Sequence, residues 1–161
     1  IVWGPLMIGG TAFAASGELP TLQTWMLTLP YGLVVASVLV GKHIDKIKDD
    51  KPRGVHSIPV VIGEQRAKAL NKVTFILFYV LIIALVVLQY TGPWVLLTFL
   101  AVGRLRETWK VYGEDKPKKA PEGWTVWPLW YVGWAMHFNR KAGEYFVLGL
   151  LLNIATKTLF N

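Results

Sequence analysis

The sequence predicts an all-α fold, a polytopic transmembrane helix bundle of about five spans plus one interfacial helix. Of its 161 residues, 53% are hydrophobic and only 17% are charged, whereas soluble domains carry about 25% charged residues. Three long stretches contain no charge at all, residues 21–41, 73–90 and 93–103. A helix crosses the hydrocarbon core with about 20 mostly apolar residues, so these stretches have the composition of membrane spans.

The first half of the chain contains three predicted helices. The first covers the apolar residues 1–15, and the polar turn SGELP separates it from the second helix at residues 21–42. A charged loop, residues 43–63, follows. The third helix is expected from about Glu64 to Tyr90, and its polar first turns (EQRAKALNK) are expected to lie outside the hydrocarbon.

The second half contains a fourth helix and a second charged loop. The tripeptide TGP at 91–93 is a chain breaker, and its proline suits the first turn of a helix over residues 93–112. Residues 113–123 (GEDKPKKAPEG) are rich in proline, lysine and glycine. This composition predicts a loop without regular structure.

The last part of the chain is interrupted by polar residues at 139–141. Residues 124–138 are short for a span, and they contain four tryptophans at helical spacing: Trp124, Trp127, Trp130 and Trp134. Tryptophan favours the membrane–water boundary. We therefore predict an interfacial helix over residues 124–138 and a final span over residues 142–159.

The positions of the basic residues predict the orientation. With this layout, loops 42–72 and 104–119 and the pair Arg140-Lys141 lie on one side of the membrane, which leaves only Lys157 of the 17 Lys and Arg residues on the other. The positive-inside rule makes the basic side cytoplasmic. We therefore expect an integral protein of the inner (cytoplasmic) membrane whose aspartate-rich loop faces the cytoplasm.

Composition also limits the classes of function. The chain contains no cysteine, so it has no disulfide and no thiolate metal site. Its net charge of +7 accompanies no nucleic-acid-binding module, and lipid contact is the better explanation for it. The chain starts at Ile1 inside an apolar segment. We expect one transmembrane domain over residues 1–161, an N-terminally truncated part of a larger membrane protein.

The loop between the second and third helices carries the main candidate site. Asp45 and Asp49 are four residues apart and share a face if the second helix continues through them, and Asp50 follows directly. Neighbouring carboxylates repel one another unless a cation compensates them. Mg²⁺ takes oxygen ligands, including carboxylates and substrate phosphates. All three aspartates are therefore candidate magnesium ligands.

Basic residues are interspersed with these aspartates. The run HIDKIKDDKPR contains four of them, Lys46, Lys48, Lys51 and Arg53. Ammonium and guanidinium groups bind phosphate oxygens. The pattern is compatible with a site for a metal and a diphosphate whose substrate has a lipid tail. Composition alone favours a second interpretation, a solvated mixed-charge loop between membrane helices.

The residues after the basic run are GVHSIPVVIG, at 54–63. They resemble the second aspartate motif of the UbiA superfamily, whose members are intramembrane prenyltransferases. The family pattern is approximately D-x-x-x-D-x-x-x-G-x-R-T-L-P-V-x-L-G. The positions that match identically or conservatively are Gly54, Ser57, Ile58, Pro59, Val60, Ile62 and Gly63. His56 stands where the family usually has arginine.

This resemblance implies a fold and a function. The implied fold is the second half of a nine-helix bundle. In the family, the whole bundle binds diphosphate and Mg²⁺ between two aspartate motifs. This chain contains one such motif. The implied reaction transfers an isoprenyl group from a prenyl diphosphate to an aromatic acceptor such as a quinone precursor. The implied metal ligands and catalytic residues are Asp45, Asp49 and Asp50. The implied diphosphate-binding residues are Lys46, Lys51, Arg53 and His56.

The register of the aspartates departs from the family pattern. Counted back from Gly54, the two aspartates should fall at positions 50 and 46, but position 46 is lysine. Asp45 and Asp49 have the expected separation but lie one residue out of register. The departure leaves open a non-catalytic UbiA-like subunit of a larger membrane complex. A fragment of a transporter or channel is disfavoured because the predicted membrane core contains no ionisable residue.

Overall fold

The computed structural model describes residues 2–160, which form helices, turns and loops without any strand. Helix α1 is π-helical over Val2–Gly9 and α-helical over Gly10–Ser16, and α6 is 3₁₀-helical over Pro93–Ala101 and α-helical over Val102–Val111. The other helices are α2 (Leu22–Asp45), α3 (Ile47–Asp50), α4 (Ile58–Ile62), α5 (Glu64–Val87) and α7 (Tyr131–Phe160). The predicted all-α bundle is confirmed.

Four long helices build the core. Helix α7 packs along α6 and α2, α2 packs against α5 as well, and α1 lies against α2. At the centre, the fully buried ring of Phe138 meets Phe75 edge-on at a centroid distance of 5.2 Å and Phe78 at 6.0 Å. Edge-to-face aromatic pairs of this kind stabilise a core beyond the area that they bury. These rings connect the middle of α5 to the first third of α7.

The outer face of α5 is apolar and unpacked. Ile76, Val80 and Ile83 follow one another at helical spacing and are 50%, 51% and 46% exposed. A helix that is apolar on its outer as well as its inner face fits a lipid environment rather than water. Two helices of the described part are long and apolar enough to cross a membrane, Leu22–Asp45 and Glu64–Val87. The count of five spans stays a prediction.

The predicted interfacial helix over residues 124–138 is wrong. Residues 124–130 form turns, and a single 30-residue helix begins at Tyr131 and continues through the polar residues 139–141. Arginine and lysine interrupt hydropathy but are good helix formers. The helix is held by a buried stripe spaced three and four residues apart: Ala135, Phe138, Ala142 and Phe146.

The tryptophans predicted to share one helical face lie instead on a loop and the helix that follows it. Trp124, in the loop, packs against Trp130 at 4.6 Å and stacks on Trp134 of α7 at 5.9 Å between ring centroids. The Trp124 indole N–H donates to the carbonyl of Leu129 at 3.1 Å. The loop between α6 and α7 is therefore folded back onto the first turns of α7.

Helices α2 and α7 approach each other closely at Gly41. A Cβ atom built on Gly41 would lie 2.7 Å from the Tyr112 hydroxyl oxygen and 3.0 Å from the carbonyl oxygen of Tyr131 and the Cα of Val132. Two of these three neighbours are backbone atoms, which cannot rotate away. The absence of a side chain at position 41 therefore sets the distance between the end of α2 and the start of α7.

We expect Gly41→Ala to destabilise the protein by about 1–3 kcal/mol, because the added methyl group forces the two helices apart. The matched control is Gly103→Ala in α6, where an added Cβ meets nothing within 4 Å. Thermal unfolding in detergent measures the stability of both variants. Equal unfolding midpoints for the two variants would contradict the close contact between α2 and α7.

Candidate functional site

The aspartate-rich loop, residues 46–63, reverses the direction of the chain between α2 and α5. We call this segment the reversal. Helix α2 ends at Asp45, α3 and a 3₁₀ turn (Lys51–Arg53) follow, and α4 leads into α5. The reversal uses left-handed backbone at Gly54 (φ 70°) and a positive φ of 84° at Gly63. Only glycine adopts these values without strain. The two glycines that delimit GVHSIPVVIG are thus required by the turn itself.

The side chain of Asp45 is completely buried and both of its oxygens have partners. Its side chain is 0% exposed, and its Oδ1 lies 3.3 Å from the ammonium of Lys116. Its Oδ2 accepts a hydrogen bond of 3.0 Å from the backbone N–H of Val132. Val132 lies in the first turn of α7, where backbone N–H groups lack partners within the helix. Asp45 therefore caps α7 and pairs with a lysine from the α6–α7 loop.

Asp49 and Asp50 lie one turn further on, in α3, and have different surroundings. Asp49 is exposed to solvent. The Asp50 side chain is 14% exposed, and its Oδ2 lies 3.6 Å from Nδ1 of His43. This nitrogen is buried and has no hydrogen-bond partner in the part of the chain that the structure describes. The three aspartates thus point to three different environments.

The residues predicted to bind diphosphate lie on the reversal. Lys51, Arg53 and His56 are exposed and Lys46 is half-buried. Within the described residues, none of these four side chains has a carboxylate within 4 Å. They are therefore free to bind an anion, although the side chains are not held in one place by protein contacts.

The three aspartates do not gather into one metal site. Among residues 2–160, no group of three or more His, Asp or Glu side chains is placed to hold a metal ion. Asp45 does not fit a magnesium ion, because its oxygens already hold Lys116 and the N–H of Val132. Mg²⁺ commonly takes one or two carboxylates and completes its shell with water and phosphate, so magnesium binding by Asp49 and Asp50 stays a prediction.

A second buried charge network lies beside the reversal and was missed from the sequence. Lys68 of α5 is 3% exposed, pairs with Glu64 at 2.8 Å and donates to the carbonyl of Glu114 at 3.1 Å. Its ammonium also lies 4.7 Å from the ring centroid of Tyr131. The spacing of Glu64 and Lys68, four residues apart at the start of a helix, is the signal that could have found the pair.

The α6–α7 loop and the reversal enclose a cleft of about 400 Å³. Its charged lining comes from both sides: Asp45, Lys48, Glu64, Lys116 and Lys118. Asp45 and Glu64 are neutralised by Lys116 and Lys68, whereas Lys48 and Lys118 have no carboxylate within 4 Å among the described residues. The cleft therefore carries a net positive charge.

Comparison with known proteins identifies the class. The model of the UbiA prenyltransferase family matches residues 1–129, most of the chain. The chain belongs to this family, whose members are membrane-integral prenyltransferases, and the resemblance drawn from GVHSIPVVIG is confirmed.

One curated relative is the 1,4-dihydroxy-2-naphthoate octaprenyltransferase of Bacillus subtilis (strain 168). The two proteins are 25% identical over 81 residues, which is 50% of this chain. The match spans only 26% of the length of that enzyme. No solved structure matches the chain.

Proposed function

We propose that the protein is a membrane prenyltransferase that transfers an isoprenyl group from its diphosphate to an aromatic acceptor of the quinone-precursor kind. The observation that carries the proposal is the reversal in the family motif, where Asp49 and Asp50 adjoin basic side chains that have no carboxylate within 4 Å among residues 2–160. Family membership and the naphthoate-prenylating relative support it. The basic loops support a site at the cytoplasmic end of the bundle.

In this mechanism the reversal binds the diphosphate group. Lys51 and Arg53 donate charge-assisted hydrogen bonds to its oxygens, and Lys46 and His56 supply further donors. Asp49 and Asp50 are the residues that would hold Mg²⁺, which would neutralise charge on the leaving diphosphate. The bond between the prenyl carbon and the diphosphate oxygen breaks, the acceptor ring carbon forms the new bond, and the ring loses a proton. Apolar helix walls shield the carbocation character of the prenyl chain from water.

A non-catalytic role on the same scaffold is the second candidate. The observation that favours it is Asp45, which is bound to Lys116 and capped onto α7 rather than free to hold a metal. In that case the protein would be a UbiA-like subunit of a larger membrane complex. It could retain the basic reversal as a contact for lipid phosphates.

An assay of prenyl transfer by the full-length protein in proteoliposomes distinguishes the enzyme from the non-catalytic subunit. We expect a prenylated product from octaprenyl diphosphate and 1,4-dihydroxy-2-naphthoate or a related aromatic acid, because the curated relative is named for that acceptor and chain length. Chromatography with mass spectrometry detects the product. Binding of the prenyl diphosphate without transfer to any acceptor of an aromatic panel would support the non-catalytic role and contradict the enzyme.

A further inference from the structure

We propose that Asp45 and Lys116 form a clasp, here meaning the ion pair that holds the α6–α7 loop and the start of α7 against the end of α2. Asp45 is then a positioning residue and not a metal ligand. Lys116 supplies the positive charge that a metal ion would otherwise supply at this carboxylate. The effect on catalysis rests on the proposed function, whereas the clasp itself does not.

The burial and bonding of Asp45 support the clasp. The 0% exposed carboxylate contacts a residue 71 positions away on one oxygen and a residue 87 positions away on the other. A buried charge persists only when it is paired and hydrogen-bonded. A metal ion at Asp45 would have to displace the Lys116 ammonium and compete with the N–H of Val132, so both contacts that connect α2 to α7 here would weaken.

Lys116 is fixed from its own side as well. Its ammonium donates to the carbonyl of Pro128, further along the same loop, and lies 5.2 Å from the ring centroid of Trp127. The lysine therefore connects the end of α2 to the residues just before α7. A flexible surface ion pair would not make these additional contacts.

The close approach at Gly41 makes the clasp possible. Gly41 and Asp45 are four residues apart on α2 and therefore lie on the same face. Both lie against the first turn of α7. The backbone of Gly41 approaches this turn closely because no side chain intervenes, and Asp45 accepts a hydrogen bond from Val132. The carboxylate reaches the positive end of the α7 dipole, where a negative charge is favourable.

The clasp bears on the reaction through the adjoining cleft. Lys118 lies two residues after Lys116 and lines the cleft opposite Lys48 of α3. If the loop is released, Lys118 leaves this wall and the cleft loses one of its two unpaired cations. We expect Lys116→Met to raise the KM for prenyl diphosphate by about tenfold, since it removes a cation from the cleft beside the proposed diphosphate site. The Mg²⁺ concentration for half-maximal rate should stay the same, because Asp45 holds no metal.

A spin label provides a readout that does not depend on activity. The chain has no cysteine, so Val126→Cys, at a loop residue that is 50% exposed, gives a single labelling site. We expect Asp45→Asn and Lys116→Met each to sharpen the electron paramagnetic resonance spectrum of the label, because the loop becomes mobile. The double variant should sharpen it no more than either single variant. Lys119→Met, an exposed lysine of the same loop, is the matched control and should leave the spectrum unchanged.

Titration with Mg²⁺ decides between the clasp and a metal site at Asp45. With the clasp, Mg²⁺ and a non-hydrolysable prenyl thiolodiphosphate leave the label in the otherwise wild-type protein as immobile as before. If Asp45 binds the metal, the same addition releases Lys116 and sharpens the spectrum, which overturns the proposal. An unchanged spectrum in both Asp45→Asn and Lys116→Met also overturns it. Loss of loop order in these variants, together with an absence of prenyl transfer by the wild-type protein, would refute the proposed function and leave the clasp intact.

Discussion

Asp50→Ala is expected to lower Mg²⁺-dependent prenyl transfer by about a hundredfold or more. A metal ion contributes several kcal/mol by neutralising charge on a leaving group, and each 1.4 kcal/mol or so corresponds to about tenfold in rate. Asp50 is the aspartate that agrees with the family register. Among residues 2–160, its carboxylate has a single ion-pair contact, 3.6 Å from His43, so we expect it, unlike Asp45, to accept a metal.

The matched control for Asp50 is Glu122→Ala. Glu122 is an exposed carboxylate on the α6–α7 loop and has no ion-pair partner among the described residues. Its removal changes net charge by the same amount, so it corrects for a general electrostatic effect on diphosphate binding. Steady-state rates across a range of Mg²⁺ concentrations measure both variants. Near-normal turnover in Asp50→Ala would show that Asp50 is not part of the metal site.

Phe138→Ala is expected to cost about 3–5 kcal/mol of unfolding free energy, the typical range for removing a large buried aromatic side chain. Phe138 is 0% exposed and its ring meets those of Phe75, Phe78 and Tyr79 at centroid distances of 5.2, 6.0 and 6.2 Å. The substitution leaves a cavity where α7 packs on α5. The change also tests α7 as one helix, because residue 138 would lie outside the core if residues 124–138 formed an interfacial helix.

Met136→Ala is the control for Phe138→Ala. Met136 lies two residues earlier on α7 and is 48% exposed, so its truncation opens no cavity in the core. Chemical or thermal unfolding of the two variants in the same detergent gives the comparison. A loss of stability in Phe138→Ala no larger than in Met136→Ala would contradict the position of α7 in the core.

Local patterns predicted much of the fold. Uncharged runs located α2 and α5, and the breaker at residues 91–93 located the start of α6 at Pro93. The continuity of α7 was missed because Arg140 and Lys141 interrupt hydropathy, while the helix depends on buried contacts with other helices. Hydropathy reports the surroundings of each segment and not whether the backbone hydrogen bonds continue.

The parts of the candidate site that depend on neighbouring residues in the sequence were predicted, and the contacts between distant residues were not. The motif GVHSIPVVIG located the reversal, because Gly54 and Gly63 require specific backbone angles. The partners of Asp45 could not be predicted, since Lys116 and Val132 are 71 and 87 residues away in sequence. Spacing between aspartates indicates which can share a helical face, but the helix breaks at Lys46, between Asp45 and the other two aspartates.

The most direct test of the proposed activity is simultaneous measurement of prenylated acceptor and inorganic diphosphate. In proteoliposomes of the full-length protein with Mg²⁺, we predict that the two products appear in equal amounts. We also predict that both disappear in the presence of a chelator and in Asp50→Ala. Diphosphate release without a prenylated acceptor, or equal product from Asp50→Ala and wild type, would contradict a prenyltransferase that acts through this reversal.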